Sequence, residues 1–330
     1  MRAAKLGKLR LGLLGTGIAA ERLYLPAFQQ LGHRIELVAC ANRTRKKAER
    51  YARLAGISRV VDDAEALFAL PDVDAVLVSL PIAVQPAYVL AALRAGKAVL
   101  SEKPVGPSVP AARRLIAQAK RLSPAWLVGE NFAFMEHVER LEALVKGGEL
   151  GDLRIVEARQ LTLMDAKNPY FQSAWRTDPQ FLGGFVVDAG VHVASVLRRC
   201  FGMPRVGASK TASFDKRLPP LDTVVATLEF PSGALGTWTS CFSAAGGGPL
   251  VRVHGSRASA ELSWGELLVR GRNGKTHTFR PKKDSFYREF AHFADVVTRG
   301  KPLGVTPEQA LEDLTLLATL VRKIVGAGLT

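Results

Sequence analysis

The sequence contains few cysteines and no long hydrophobic run. Its three cysteines, Cys40, Cys200 and Cys241, are odd in number and far apart, and no CxxC pair or zinc-ligand spacing occurs. We therefore expect buried, reduced thiols, no disulfide and no metal. No apolar stretch approaches the roughly 20 residues that span a bilayer, and the basic N-terminal segment lacks the apolar region of a signal peptide. These absences predict a cytoplasmic protein with no membrane partner.

Acidic residues are also scarce, with 30 Asp and Glu against 45 Lys and Arg and a formal net charge of +15. Such a charge often indicates nucleic-acid binding. The basic residues are spread along the chain, however, and no zinc finger, RNP pattern or basic helix with interleaved aromatics accompanies them, so we expect no nucleic-acid partner. With 330 residues, 48% of them hydrophobic, the chain is long enough for two domains.

The first 125 residues alternate between strand and helix patterns, which predicts βαβ units and a doubly wound parallel sheet. The predicted strands are residues 9–14, 35–41, 75–79 and 98–101, and a further strand is predicted just beyond this range at 127–129. The predicted helices are 19–31, one that Thr44 caps and that runs to Leu54, 64–69, 85–95 and 109–121. We therefore expect residues 1–125 to form one α/β domain.

Strand patterns dominate the rest of the chain, which predicts a mostly antiparallel sheet in a second domain, residues 126–330. The predicted strands are residues 153–163, 223–230, 234–240, 250–254, 259–263, 267–270 and 276–279. Helices are expected at 135–146, 185–199, 286–299 and 307–325, the last with Thr306 as its N-cap.

A glycine-rich loop links the first strand to the first helix. In Gly15-x-Gly17-x-x-Ala20, the first glycine permits a tight turn, the second lets the backbone approach a pyrophosphate, and the alanine allows close helix–sheet packing. Its position after a buried strand makes the motif informative. We predict that the cofactor contacts Gly15, Thr16, Gly17, Ile18 and Ala19.

The end of the second strand carries no carboxylate that could bind the adenosine ribose and favour NAD. Asn42 and Arg43 stand there instead. Asn42 is a neutral hydrogen-bonding group, and the Arg43 guanidinium can bind a 2′-phosphate. The alternative is a solvated arginine at a helix start. This pair predicts NADP in preference to NAD.

Two further segments carry candidate catalytic residues. Lys103 follows the apolar run 98–101, beyond the carboxyl end of a predicted parallel strand, where ligands bind in such sheets; the alternative is a surface lysine paired with Glu102. Asp188 and His192 are four residues apart and share one face if their segment is helical. Asp188 could then orient the imidazole while His192 exchanges a proton, although such pairs are often structural.

The motifs occur in the order and at the intervals of a known family. The Gly15–Ala20 loop, Ser79-Leu80-Pro81, Glu102-Lys103-Pro104, Trp175-Arg176 and Gly183-Gly184-x-x-x-Asp188-x-Gly190-x-His192 follow one another along nearly the whole chain. The sequence resembles the glucose–fructose oxidoreductase/inositol dehydrogenase (Gfo/Idh/MocA) family. This resemblance implies that residues 1–125 are a Rossmann domain that binds NAD or NADP. It also implies that residues 126–330 are an α/β domain with an open, mostly antiparallel sheet for substrate binding and oligomerisation, and that the protein is a homodimer or homotetramer.

The resemblance also implies roles for single residues. Lys103 would contact cofactor and substrate and be a catalytic residue with Asp188 and His192, the histidine being the proton carrier. Asn131 would face the nicotinamide or substrate, and the Trp175–Arg176 segment often lines the sugar site. The expected cofactor contacts are completed by Ser79, Leu80, Pro81, Gln85, Glu102, Lys103, Asn131, Trp175 and Arg176.

The chain departs from the family pattern at two positions. Gln85 stands where the family often has a histidine, and Ser195 where an aspartate is common three residues after the catalytic histidine. The expected function is hydride transfer between NAD(P) and a secondary alcohol or ketone of a sugar, cyclitol or related compound. Two alternatives are reduction of a nucleotide-linked keto-sugar and a non-catalytic NADP-binding sensor or partner protein.

Overall fold

The computed structural model describes residues 7–171, 173–178, 181 and 183–322. Strands and helices alternate from residue 9 to residue 129. In chain order they are β1 (Leu9–Leu14), α1 (Leu25–Gln30), β2 (Ile35–Ala41), α2 (Arg45–Ala55), β3 (Arg59–Val60), α3 (Ala64–Ala69), β4 (Ala75–Val78), α4 (Gln85–Arg94), β5 (Ala98–Glu102), α5 (Val109–Ala119) and β6 (Trp126–Gly129).

The following part of the chain is rich in strands. Its elements are α6 (Glu136–Lys146), β7 (Leu153–Leu161), α7 (Gly184–Phe201), β8 (Arg205–Ala212), β9 (Thr223–Glu229), β10 (Leu235–Cys241), β11 (Val251–Gly255), β12 (Ala258–Leu262), β13 (Leu267–Gly271), β14 (Thr276–Phe279), α8 (Ser285–Arg299) and α9 (Pro307–Arg322). The prediction extends the last helix to residue 325, and residues 323–325 lie outside the described part of the chain.

The chain forms two compact units, and the first contains Met1–Asn131 together with Asp284–Leu311. Its six-stranded sheet has the order β3-β2-β1-β4-β5-β6, and all neighbouring strands are parallel. The return of the chain at residue 284 brings α8 onto this unit, where Phe290 stacks on Phe28 with ring centroids 4.5 Å apart. The predicted boundary divides the chain once, near residue 125, whereas the first unit also includes the later segment Asp284–Leu311.

The helix after the glycine loop differs from the prediction of one regular helix over 19–31. Residues Ala20–Tyr24 form a π-helix that leads into α1, and such widened turns often occur near functional sites. Thr44 does occupy the N-cap position of α2, but its side chain makes no capping hydrogen bond. Thr306, by contrast, accepts from the Gln309 backbone N–H while Gln309 accepts in return, a capping box that begins α9.

The second unit contains Phe132–Lys283 and Glu312–Thr330. Its eight-stranded sheet has the order β14-β13-β12-β11-β7-β10-β9-β8, and β7 and β10 form the parallel pair of an otherwise antiparallel arrangement. The predicted sheet types of both units are therefore confirmed. Strand β8 was missed, because this edge strand is mostly solvent-accessible and lacks apolar alternation.

All three cysteines are free and buried, as expected. Among the described residues, no helix has the length and apolar content needed to cross a bilayer. The same part of the chain contains no group of three or more His, Cys, Asp or Glu side chains arranged to hold a metal ion.

Candidate functional site

The glycine loop lies between the carboxyl ends of β2 and β4 in the first unit. Gly15 donates to the Ala41 carbonyl at 2.9 Å, and Ser79 donates to the Leu14 carbonyl at 2.8 Å. Gly15 has a φ of +96°, and a Cβ built there would lie 2.1 Å from the Ser79 carbonyl oxygen. Glycine is required at this turn because a larger residue would be strained and would collide with the chain after β4.

The next residues of the loop leave room for a ligand. Gly17 is exposed, and a Cβ built there meets no atom within 4 Å. The Thr16 hydroxyl is buried without a hydrogen-bond partner in the described part of the chain. Buried polar groups are normally paired with protein, water or ligand. The loop therefore fits the phosphates of a dinucleotide, which would approach the backbone at Gly17.

Asn42 lies at the end of β2 and makes two hydrogen bonds within the first unit. Its Oδ1 accepts from the Thr16 backbone N–H at 3.3 Å, and its Nδ2 donates to the Thr44 carbonyl at 3.1 Å. The amide oxygen thus holds the glycine loop to the end of β2, and the amide nitrogen holds the segment that leads into α2. Arg43 is exposed and makes no hydrogen bond or ion pair with the described residues, so its guanidinium is available for a phosphate.

Lys103 lies directly after β5, at the carboxyl edge of the first unit's sheet, and is half-buried. Its backbone N–H donates to the Glu102 carboxylate at 3.1 Å, and the Lys103–Pro104 peptide bond is cis. The buried Gln85 amide donates to the carbonyls on both sides, those of Glu102 at 2.6 Å and Pro104 at 3.2 Å. Gln85 therefore holds the backbone that carries Lys103.

Asn131 follows β6, the neighbour of β5, and its Nδ2 donates to the Ser285 hydroxyl at 2.9 Å. Glu289, one helical turn further along α8, was missed by the sequence analysis, although a glutamate between Phe286 and Phe290 is a recognisable signal. Burial raises the pKa of Glu289 well above its usual value, and the charges of Glu102 and Glu130 raise it further. The carboxyl edge of this sheet thus carries a buried acid.

In the second unit, Asp188 and His192 lie one turn apart on α7, as predicted. The helix starts at two glycines with positive φ, and a Cβ at Gly184 would lie 2.7 Å from the Pro219 carbonyl oxygen. Further along, a Cβ at Gly190 would lie 2.8 Å from the Leu317 side chain. The glycines of this motif therefore permit the close packing that positions Asp188 and His192.

Arg176 neutralises the buried charge of Asp188. Its Nε donates to Asp188 Oδ2 at 2.7 Å. The guanidinium carbon lies 4.1 Å from the centre of the Trp175 ring and 4.9 Å from that of Tyr170. Arg176 therefore contacts α7 through Asp188, an interaction that sequence spacing did not reveal.

The His192 ring is half-buried and stacks on Phe132, with ring centroids 4.5 Å apart and planes 15° from parallel. Trp264 packs edge-on against Phe132 at 5.1 Å and is itself 61% exposed. Neither aromatic residue was predicted from the sequence. Ser195, the departure from the family pattern, is buried and accepts from Arg198 at 3.4 Å.

The sequence-predicted residues fall into two groups. The first unit holds those near the ends of its parallel strands: Gly15, Thr16, Gly17, Ile18, Ala19, Asn42, Arg43, Ser79, Leu80, Pro81, Gln85, Glu102, Lys103 and Asn131. The second unit holds Trp175, Arg176, Asp188 and His192.

Two family models match the chain. The NAD-binding Rossmann-fold model of the Gfo/Idh/MocA oxidoreductases covers residues 9–130, and the C-terminal α/β-domain model of the same family covers residues 142–325. The chain belongs to the Gfo/Idh/MocA family. It is therefore an NAD(P)-binding oxidoreductase, and the resemblance of its sequence motifs to this family is confirmed.

Three relatives illustrate the breadth of the family. Dehydrogenase FPY6 of Fusarium mangiferae is 30% identical over 340 residues, which cover 94% of this chain and 95% of the relative. Trans-1,2-dihydrobenzene-1,2-diol dehydrogenase of Bos taurus is 27% identical over 98% of this chain and 97% of its own length. The crystal structure of an oxidoreductase from Thermotoga maritima has a TM-score of 0.90 and 32% identity, with 96% of each chain covered.

Proposed function

We propose that this Gfo/Idh/MocA oxidoreductase prefers NADP(H) and transfers a hydride between nicotinamide and a secondary alcohol or ketone of a sugar, cyclitol or related compound. The preference for NADP(H) is supported by the end of β2, where no carboxylate is present and the Arg43 guanidinium is exposed. A forked cation at this position can bind a 2′-phosphate, which NAD lacks.

The proposed reaction depends most on one observation, the placement of Asp188 and His192 one turn apart on α7. The His192 ring stacks on Phe132 and is only half-buried. Imidazole exchanges protons near neutral pH. Asp188 supplies a negative charge on the same helix face, and Arg176 limits the cost of burying that charge.

In the oxidative direction, His192 accepts the proton of the substrate hydroxyl while a hydride leaves the same carbon, so that the alcohol becomes a ketone. The bound nicotinamide supplies the acceptor for this hydride. The Lys103 ammonium stabilises the negative charge that develops on the substrate oxygen, and Asp188 stabilises the imidazolium. Proton transfer by a positioned group contributes about 10²–10⁴-fold to a rate.

A substrate screen tests this proposal. NADPH and NADH absorbance would be followed with inositols, aldoses, keto-sugars and trans-dihydrodiols, since a bovine relative is named for a dihydrodiol. With a substrate in hand, Lys103→Ala and His192→Ala should lose about 10²–10⁴-fold in kcat and still bind NADPH. His277→Ala, an exposed histidine on β14, serves as the control and should retain wild-type turnover.

Two results would contradict the proposal. Near-wild-type turnover by both Lys103→Ala and His192→Ala would remove these residues from the reaction. Tight NADPH binding without turnover of any compound in the panel would favour the sensor alternative.

A further inference from the structure

The first unit contains a carboxyl group that the proposed reaction does not use. Glu289 lies in the second turn of α8 and is 2% exposed. Its Oε1 has no hydrogen-bond partner among the described residues, whereas the backbone N–H of Glu130 donates to the carboxyl group. A buried polar atom without a partner needs an explanation.

Glu289 lies beside the ends of two strands. A Cβ built at Gly129, the last residue of β6, would lie 3.8 Å from Glu289 Oε1. Gly129 pairs in register with Glu102, the last residue of β5. Because Lys103 directly follows Glu102 and Asn131 follows Glu130, the Glu289 carboxyl adjoins both strand ends that carry the proposed nicotinamide contacts.

The surroundings of Glu289 disfavour a negative charge. Burial is the largest cause of its raised pKa, and Glu102 after β5, Glu130 after β6 and Asp284 at the start of α8 all act in the same direction. Only the Glu130 N–H acts against them among the causes of this shift. An ionised carboxylate in such a place is costly, and the group takes up a proton instead.

We propose that Glu289 is a positioning residue that acts as an uncharged carboxylic acid and holds the ends of β5 and β6 in the arrangement that nicotinamide binding requires. A protonated carboxyl group has an acceptor oxygen and an O–H donor. The acceptor holds the Glu130 N–H, and Oε1 donates to a water or a ligand oxygen. The inference rests on the proposed function, because Lys103 and Asn131 face nicotinamide only if that function is correct.

Two substitutions separate the charge of Glu289 from its hydrogen bonds. Glu289→Gln preserves shape, an acceptor and a donor without any charge, whereas Glu289→Leu has a similar volume and no polar atom. Glu65→Gln, on the exposed side of α3 in the same unit, is the matched control. Dissociation constants would be measured without substrate for NADPH and for adenosine 2′,5′-bisphosphate, which lacks the nicotinamide end.

Glu289→Gln and Glu65→Gln should bind NADPH within about twofold of wild type. Glu289→Leu should bind it at least about tenfold more weakly, because the Glu130 N–H loses its acceptor. All four proteins should bind adenosine 2′,5′-bisphosphate equally. Unchanged NADPH binding by Glu289→Leu would overturn the inference, as would an equal loss for both ligands, since that would indicate a general structural role.

The protonation state is tested by the pH dependence of the melting temperature, which also serves if Glu289→Leu fails to fold. In the unfolded chain a glutamate ionises at about pH 4.3, whereas in the folded protein Glu289 keeps its proton to higher pH. The stability of the wild type therefore falls as pH rises through this interval. Glu289→Gln lacks this contribution to the pH dependence, because glutamine does not ionise. The Tm of Glu289→Gln relative to wild type should increase from about pH 5 to about pH 8.

A Tm difference between Glu289→Gln and wild type that does not change with pH would overturn the uncharged state. Because both measurements omit substrate, absence of turnover would contradict the proposed reaction alone, whereas normal NADPH binding by Glu289→Leu would contradict the role of Glu289 alone.

Discussion

The Nε atom of Arg176 lies 2.7 Å from Oδ2 of Asp188, and the two side chains are only 14% and 9% exposed. Asp188 precedes His192 by one turn of α7. The guanidinium also lies over the Trp175 ring. A buried carboxylate therefore has a fixed positive partner beside the proposed proton carrier, and the charge balance of that helix face depends on a residue outside the helix.

Removal of only one partner of the Arg176–Asp188 pair should destabilise the folded protein. Arg176→Met leaves the Asp188 carboxylate buried without this partner, which should lower the free energy of unfolding by roughly 3–5 kcal/mol. Adding Asp188→Asn to this variant should restore part of the loss. Urea unfolding of the single and double variants measures both effects. Arg205→Met, which breaks an exposed pair with Glu229, is the control and should cost at most about 1 kcal/mol.

Substitutions at the two glycines of the glycine loop, Gly15 and Gly17, should have different effects. Gly15→Ala places a Cβ 2.1 Å from the Ser79 carbonyl oxygen at a φ of +96°, so it should destabilise the protein without ligand by about 1–3 kcal/mol. Gly17→Ala meets no protein atom within 4 Å and should leave Tm within about 2 °C while weakening NADPH binding, because its methyl group occupies the space of the phosphates. Equal effects of both substitutions on Tm would contradict this distinction.

Arg43 should determine the preference for NADP. Charge-assisted hydrogen bonds contribute about 1.5–3 kcal/mol each, so Arg43→Ala should raise the dissociation constant for NADPH about 10–100-fold and leave that for NADH nearly unchanged. Lys46→Ala, an exposed cation on α2, is the charge-matched control. A parallel loss of both cofactors in Arg43→Ala would indicate that the arginine does not contact the 2′-phosphate.

Gln85 should affect turnover through Lys103. Gln85→Leu removes the donor that the carbonyls of Glu102 and Pro104 share. The buried Pro104 carbonyl then loses a partner, at about 1–3 kcal/mol, and the half-buried Glu102 carbonyl loses one as well. We expect kcat to fall about 10–100-fold with a smaller change in the KM of NADPH. Gln85→His keeps a ring N–H and should recover much of the rate, since the family often has histidine here. Equal rates for Gln85→Leu and wild type would show that the backbone at Lys103 needs no such support.

Much of the first unit could be predicted because its signals are local. A buried strand such as β1 is a run of apolar residues, and the following glycine loop contains its own turn chemistry. Strand β8 could not be predicted, because an exposed edge strand carries no apolar alternation and is held by pairing with β9. The sequence also could not predict that α8 belongs to the first unit, because its residue pattern does not indicate which sheet it packs against.

The candidate site shows the same division between local and distant information. The amino-acid sequence by itself determined that Lys103 follows a buried strand and that Asp188 and His192 share a helix face, because both follow from spacing along the chain. Only the tertiary structure decided the partners of the polar groups: Asn42 holds the glycine loop, Gln85 holds the backbone around Lys103, and Glu289 reaches the N–H of Glu130. Such partners are far apart in sequence, and their contacts are set by how the sheets and helices pack.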